Sequence, residues 1–243
     1  MTLQLSEQGE RVPLSLNARQ VGDVTIIRCG GRIAGGETES LRVHMHGLLP
    51  HRRDIILHLG EVAFIDSGGL GMLVRVLTST RRTGGDLKLC SVPPEIFRVL
   101  KITNLTRLFD THESEEEAVS SFYRRKTPTE QVKATGPSVL CVDHAADVLA
   151  CLRGILCNAG YDVLTNSNLH DSLILIRATR PNLLILGPNL MSSPGTLQAF
   201  RTECALVPVV ELGSEFSTQD AGQAASELLA KIQSRLQRGG LAS

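Results

Sequence analysis

The chain has 243 residues, 42% hydrophobic and 21% charged, a composition that builds one or two globular domains with real cores. Lysine plus arginine and aspartate plus glutamate both total 25, so no net field favours nucleic acid or an anionic membrane as a partner. With no tryptophan and 3% aromatic residues a base-stacking surface is not expected, and no apolar run reaches the ~18 residues of a membrane span.

Met1-Thr2-Leu3-Gln4 lacks the basic-then-apolar order of a secretory signal, which points to a cytoplasmic protein. Cysteines at 29, 90, 141, 151, 157 and 204 form no C-x-x-C pair, and the reading is reduced, core-filling thiols rather than disulfides or a metal site.

From Val12 to Gln20 apolar and polar residues alternate, predicting a half-buried strand. A turn at Val21-Gly22-Asp23 leads to a second strand, Val24–Cys29, so the pair reads as a hairpin. Gly30-Gly31-Arg32-Ile33 then leaves the sheet, and Leu41, Met45, Leu48 and Leu49 predict a helix between Glu37 and Leu49. Asp54–Leu59 is a third strand. Gly84-Gly85 stops the helix that follows it, and Asp86–Ser91 is a fourth strand. Pro93-Pro94 opens a helix, Leu108–Thr111 is a short last strand, and Ser114-Glu-Glu-Glu117 reads as a capping box. Residues 125–137 collect Thr, Pro, Gly and charge and read as a linker between domains at 10–124 and 138–238.

The second half alternates strands (Ser138–Val142, Tyr161–Leu164, Pro181–Leu186, Leu206–Leu212) with helices (Ala146–Ala159, Ser167–Thr179, Gln219–Gln237). That rhythm predicts a doubly wound parallel α/β domain.

Between the third and fourth strands lies Phe64-Ile-Asp-Ser-Gly-Gly-Leu-Gly71. An apolar strand end meets a polar hinge, and Leu70, Leu73, Val74 and Leu77 then begin a helical stripe. Asp66 and Ser67 both suit an N-cap, and a serine at a helix N-terminus is also a suitable place for a phosphate. On local chemistry alone the ordinary cap outweighs the phosphate site.

No enzyme motif is completed. Ser67 has Gly69 after it but Ile65 where a nucleophile elbow needs glycine, and Gly69-Leu-Gly71-Met-Leu-Val74 ends in Val where a dinucleotide loop needs Gly. There is no Gly-Lys-Ser/Thr, and on a helix His44 and His46 would face different ways. The chain is read as non-catalytic, without metal or cofactor.

Residues from about 12 to 123 resemble the STAS domain of the bacterial anti-sigma factor antagonists. The likeness rests on Gly31-Arg-Ile in place of Gly-Glu-Leu, strand Ile55–Leu59, the Asp-Ser-x-Gly-Leu-Gly element, Gly84-Gly85-Asp-Leu-Lys-Leu-Cys, and Val99–Leu105. It implies that Ser67 is phosphorylated by a partner that is both ATPase-type serine kinase and anti-sigma factor, with a PP2C-type phosphatase as a further partner. It also implies that Asp66, Ser67, Gly68, Gly69, Leu70 and Met72 meet that partner. Gly68 departs from the pattern, since many members carry a second Ser or Thr there. Two other functions stay open: an adaptor for a complex without a sigma factor, and a ligand-binding STAS module serving a membrane transporter.

Val139–Asp143, Leu152–Val163 and Arg180–Leu186 resemble a response-regulator receiver without its chemistry. Gly187 stands at the phosphoacceptor position, the acidic pair is reduced to Asp143 followed by His144, and Gly213 replaces the usual Ser/Thr. This resemblance implies a pseudo-receiver that docks or dimerises, with Asp143 a cap or a relic.

Overall fold

The computed structural model describes residues 12–36, 43, 54–125, 136–190, 194–205, 207–213 and 221–239. Apart from Val43, the predicted helix at Glu37–Leu49 lies outside them, as do the His44/His46 pair and most of the predicted linker. Two compact units emerge, the first running to Ala118 and the second taking up the chain at Val119 together with Val21–Asp23. No described helix is long and apolar enough to cross a membrane.

The first unit holds five strands in the order β1 (Ser15–Val21), β2 (Val24–Ile33), β3 (Asp54–Ile65), β4 (Asp86–Cys90) and β5 (Asp110–His112). Only Gly22 and Asp23 join β1 to β2, a link short enough for an antiparallel hairpin alone. The pairs β2–β3, β3–β4 and β4–β5 are parallel, so the sheet is mixed. Between the parallel strands run α1 (Ser67–Arg82) and α2 (Pro94–Ile102), and α3 (Glu115–Arg125) follows β5. Because the sheet grows in one direction, right-handed crossovers lay α1 and α2 on one face. Leu70, Met72, Leu73, Val76 and Leu77 of α1 and Ile96 and Leu100 of α2 share a core there with Ile33, Leu57, Ile65 and Leu89.

β2 runs longer than the sequence suggests. Gly30 to Ile33 does not leave the sheet but stays paired to Glu61–Ile65. Two register shifts let it do so, and Gly31 lies at φ +83°, where a side chain would meet the Pro13 carbonyl at 2.2 Å. The strand therefore carries Ile33 up to the start of α1.

At the capping box the Glu117 amide donates to Ser114 Oγ at 3.2 Å, while the Glu117 carboxylate accepts from the Glu113 amide at 3.0 Å. Arg19 of β1 and Arg28 of β2 converge on Glu115. Burial raises the Glu115 pKa, but the two guanidinium groups outweigh it and hold the carboxyl low. Burial pushes the Cys29 and Cys90 thiols up to about 12, which suits cysteines that fill a core.

The second unit has a four-stranded parallel sheet in the order β7 (Asp162–Asn166), β6 (Ser138–Val142), β8 (Leu183–Leu186), β9 (Val209–Glu211). The chain starts in the middle, steps outward, and returns past β6, the doubly wound order expected of alternating strands and helices. α4 (Ala146–Asn158) and α7 (Ala221–Gly239) share one core through Leu152, Leu156, Leu228 and Ile232. α5 (Leu169–Thr179) contacts α6 (Pro194–Glu203), a helix the periodicity does not announce.

At the carboxyl end of β6, Asp143 is fully buried. Its carboxylate accepts hydrogen bonds from the Ala145 amide at 2.6 Å and the Asn189 amide at 3.0 Å, tying the loop after β6 to the loop after β8. Next to it the His144 Nδ1–H donates to the Ser167 carbonyl at 2.6 Å. A Cβ on Gly187 would lie 2.0 Å from the Asp143 carboxylate. The Asp143 side chain thus occupies the room that a residue at 187 would need. Gly187→Asp should accordingly not create a phosphate acceptor. We expect it to destabilise the second unit by about 1–3 kcal/mol in urea unfolding and to take up no label from acetyl phosphate.

Candidate functional site

The parallel strands β2 to β5 bring their carboxyl ends to one edge of the first sheet, and among the described residues α1, α2 and α3 start there after β3, β4 and β5. At the centre of that edge β3 ends at Ile65 and α1 begins at Ser67, with a single residue between them. That residue, Asp66, is the N-cap, in extended conformation at φ −104° and ψ −177°. Its amide donates to the Ile33 carbonyl at 3.3 Å, and its own carbonyl accepts the first helical bond from Leu70 at 2.9 Å.

The Asp66 carboxylate makes two attachments. Oδ1 accepts from the Gly69 amide at 2.7 Å, which caps α1. Both oxygens accept from the Gly35 amide, at 3.1 and 3.0 Å, which fastens the turn after β2 to the helix tip. The Gly35 N–H lowers the Asp66 pKa most, the Gly69 N–H next, and the Gly68 N–H and the nearby Arg32 add to the effect.

Two glycines make the approach possible. A Cβ on Gly69 would meet the Ile33 carbonyl oxygen at 2.0 Å, and one on Gly68 would meet Gly35 Cα at 2.7 Å. Gly68 is therefore the fit to a close turn: a serine there would push Gly35 off the Asp66 carboxylate.

Ser67 occupies the first helical position and is exposed. Because Asp66 supplies the cap, the Ser67 hydroxyl makes no hydrogen bond to any described residue. The alternative that Ser67 itself caps the helix does not hold. The helical period continues the exposed face from Ser67 and Gly68 through Gly71, Arg75 and Thr78.

The expected contact set divides. Ser67 and Gly68 face outward and Asp66 is half-buried, but Gly69, Leu70 and Met72 are buried against the sheet. Leu70 and Met72 belong to the core, since the helical stripe that fills the sheet face passes through them. In this conformation they support the tip.

Two residues absent from the expected set also lie at this edge. Arg32 and Phe64 are cross-strand partners near the ends of β2 and β3. The guanidinium carbon sits 4.0 Å above the Phe64 ring centre, and Phe64 is 38% exposed. Among the described residues no cluster of three His, Cys, Asp or Glu side chains could hold a metal ion.

A folded-state pKa below the ordinary aspartate value of about 3.9 means that the Asp66 contribution is fully present above that value. It is lost as pH falls through the lowered value. Asp66→Asn should lower the thermal midpoint at pH 7 and speed amide exchange at Gly35 and Gly69. The difference in midpoint from wild type should narrow as the pH is taken below the ordinary carboxylate range.

Part of the chain is similar to known proteins. The family model for the STAS domain matches residues 15–118. The anti-sigma F factor antagonist of Paenibacillus polymyxa is 26% identical over 99 residues, which cover 40% of this chain and 85% of that protein. The anti-sigma-B factor antagonist of Bacillus subtilis is 26% identical over 106 residues, 44% of this chain and 97% of that protein. A Thermotoga maritima relative is 37% identical over 71 residues, and there the chain spans 63% of the relative's length. The solved structure of the anti-sigma factor antagonist SpoIIAA in its unphosphorylated form covers 45% of this chain and 97% of its own, at 19% identity and a TM-score of 0.41. Residues 15–118 of this chain are a STAS domain.

Proposed function

We propose that the chain is an anti-sigma factor antagonist: a phosphorylation-gated binding module that captures an anti-sigma factor when Ser67 is unmodified. The observation that carries this reading is the Ser67 hydroxyl, bonded to no described residue and exposed at a helix tip whose capping is done by Asp66. The names of the P. polymyxa and B. subtilis relatives, matched over 85% and 97% of their lengths, support the same function. The partner is an anti-sigma factor of the ATPase serine-kinase type, a PP2C-type phosphatase reverses the modification, and the exchange takes place in the cytoplasm. The first unit acts by binding, and its carboxyl edge is the binding surface. The second unit is a degenerate receiver whose role is docking, because Asp143 is engaged by loop amides and Gly187 offers no acceptor.

The physics of the gate follows from where the charge is placed. A phosphate on Ser67 brings roughly −1.5 to −2 charges at neutral pH. Against its own helix N-terminus that charge is favourable by about 0.3–1 kcal/mol, so the domain stays folded. Inside a closed interface, beside the ionised Asp66, the same charge meets repulsion and desolvation of several kcal/mol. Inverting a 99:1 bound population takes ~5.5 kcal/mol, which is of that order.

The test is capture by a purified ATPase-type serine kinase, with phosphosite mapping after incubation with ATP. Ser67→Ala should bind like wild type and accept no phosphate. Ser67→Asp should bind at least about tenfold more weakly. Equal capture of wild type and Ser67→Asp, or phosphate on another residue alone, would sink the reading.

A further inference from the structure

We propose that Arg32 and Phe64 form a second docking point beside Ser67, and that it receives a carboxylate side chain of the protein captured there. The inference rests on the reading of Ser67 as a gate and adds the chemistry of the partner's matching surface.

Arg32 differs from the other arginines of β1 and β2. Arg19 and Arg28 are both held by Glu115. Among the described residues no carboxylate or carbonyl takes a hydrogen bond from Arg32; its guanidinium lies on the Phe64 ring instead. Stacking of this kind fixes the plane of the guanidinium and leaves its edge donors directed away from the ring. Asp66, whose pKa Arg32 helps to lower, already spends its carboxylate on the Gly35 and Gly69 amides. A half-buried, pre-ordered cation thus lies beside an aromatic ring 38% exposed, with no described carboxylate on it.

Its position ties it to the gate. Arg32 directly precedes Ile33, whose carbonyl accepts the Asp66 amide, and Phe64 lies two residues before Asp66. A partner that covers Ser67 therefore extends easily onto this pair. Arginine and aromatic residues are the types that carry most interface energy, and the planar fork matches a carboxylate with two parallel hydrogen bonds. The Arg32 cation calls for a group of opposite sign on the surface that covers it. The geometry makes Arg32 a specificity-determining residue that selects an acidic partner.

The experiment measures the affinity of the full chain for the purified ATPase-type serine kinase by calorimetry. The variants are Arg32→Glu, Arg32→Gln, Phe64→Ala and Ser67→Asp, each checked for an unchanged melting profile. Arg32→Glu should weaken binding by at least about tenfold and slow association at low salt. Arg32→Gln, which keeps the length and removes the charge, should fall between, and should serve alone if the Glu variant misfolds. A Lys replacing one acidic residue of the kinase should restore the binding of Arg32→Glu. Arg32→Glu and Arg32→Gln within about twofold of wild type, with Ser67→Asp still blocked, would overturn the docking inference and leave the gate standing. Wild-type binding by Ser67→Asp would remove the gate and this inference with it. An effect of Arg32→Glu confined to the Ser67-phosphorylated protein would assign the guanidinium to the phosphate and overturn the inference as well.

Discussion

The Asp66 carboxylate is the interaction on which the first unit's carboxyl edge depends. It accepts from the Gly35 amide and the Gly69 amide together, so the turn after β2 and the first turn of α1 move as one body. Such a bond is charge-assisted and stronger than an ordinary amide pair. It also demands close backbone contact, which is why glycine stands at 68 and 69, where a Cβ would strike Gly35 and Ile33. Removing the carboxylate would leave helix amides without a partner and free the turn as well. One side chain therefore fixes the place of the next residue along.

That division of labour explains how a serine at a helix tip can be both ordered and available. In a simple capped helix the serine oxygen is consumed by an amide two or three residues on. Here the aspartate does the capping, and the serine, one residue later, inherits a fixed position without a bond to any described residue. A modification at Ser67 can then change what the surface accepts while the cap beneath it stays closed. The core below is unaffected as well, because Leu70, Met72 and Leu73 anchor α1 by burial and not through its tip.

Much of this was legible in the chain. Strand, polar hinge and apolar helical stripe can be read at Phe64–Leu77 because N-cap chemistry is local and the period of the stripe is unambiguous. Which of Asp66 and Ser67 caps the helix could not be read, since both have suitable oxygens and the choice is made by Gly35, thirty-one residues away. The end of β2 was misread for a related reason. Gly30-Gly31 looks like a strand breaker, and only its pairing with β3 shows it to be a bulge. α6 escaped because Ser-Pro-Gly-Thr at its start resembles a loop, whereas Pro194 occupies a first helical position that tolerates it. Motif membership does not say which way a side chain points: Leu70 and Met72, expected to meet a partner, lie buried in the core. Lys88 shows the same limit: its alternation with Leu87 and Leu89 suggests solvent, yet it is fully buried with its ammonium 3.4 Å from Asp110.

The two units use one device with opposite results. Each places an aspartate just past the end of a parallel strand and spends its carboxylate on loop amides: Gly35 and Gly69 for Asp66, Ala145 and Asn189 for Asp143. In the first unit the aspartate is half-buried and the next residue is a serine at the start of a helix, so closing the loops delivers a hydroxyl to the surface. In the second the aspartate is fully buried and fills the space above Gly187, and the next residue, His144, is exposed but ties its ring to the Ser167 carbonyl. An aspartate in a strand-to-helix hinge is therefore weak evidence of chemistry by itself. The informative residue is its neighbour: an exposed serine hydroxyl in the first unit, a histidine already bonded to a carbonyl in the second.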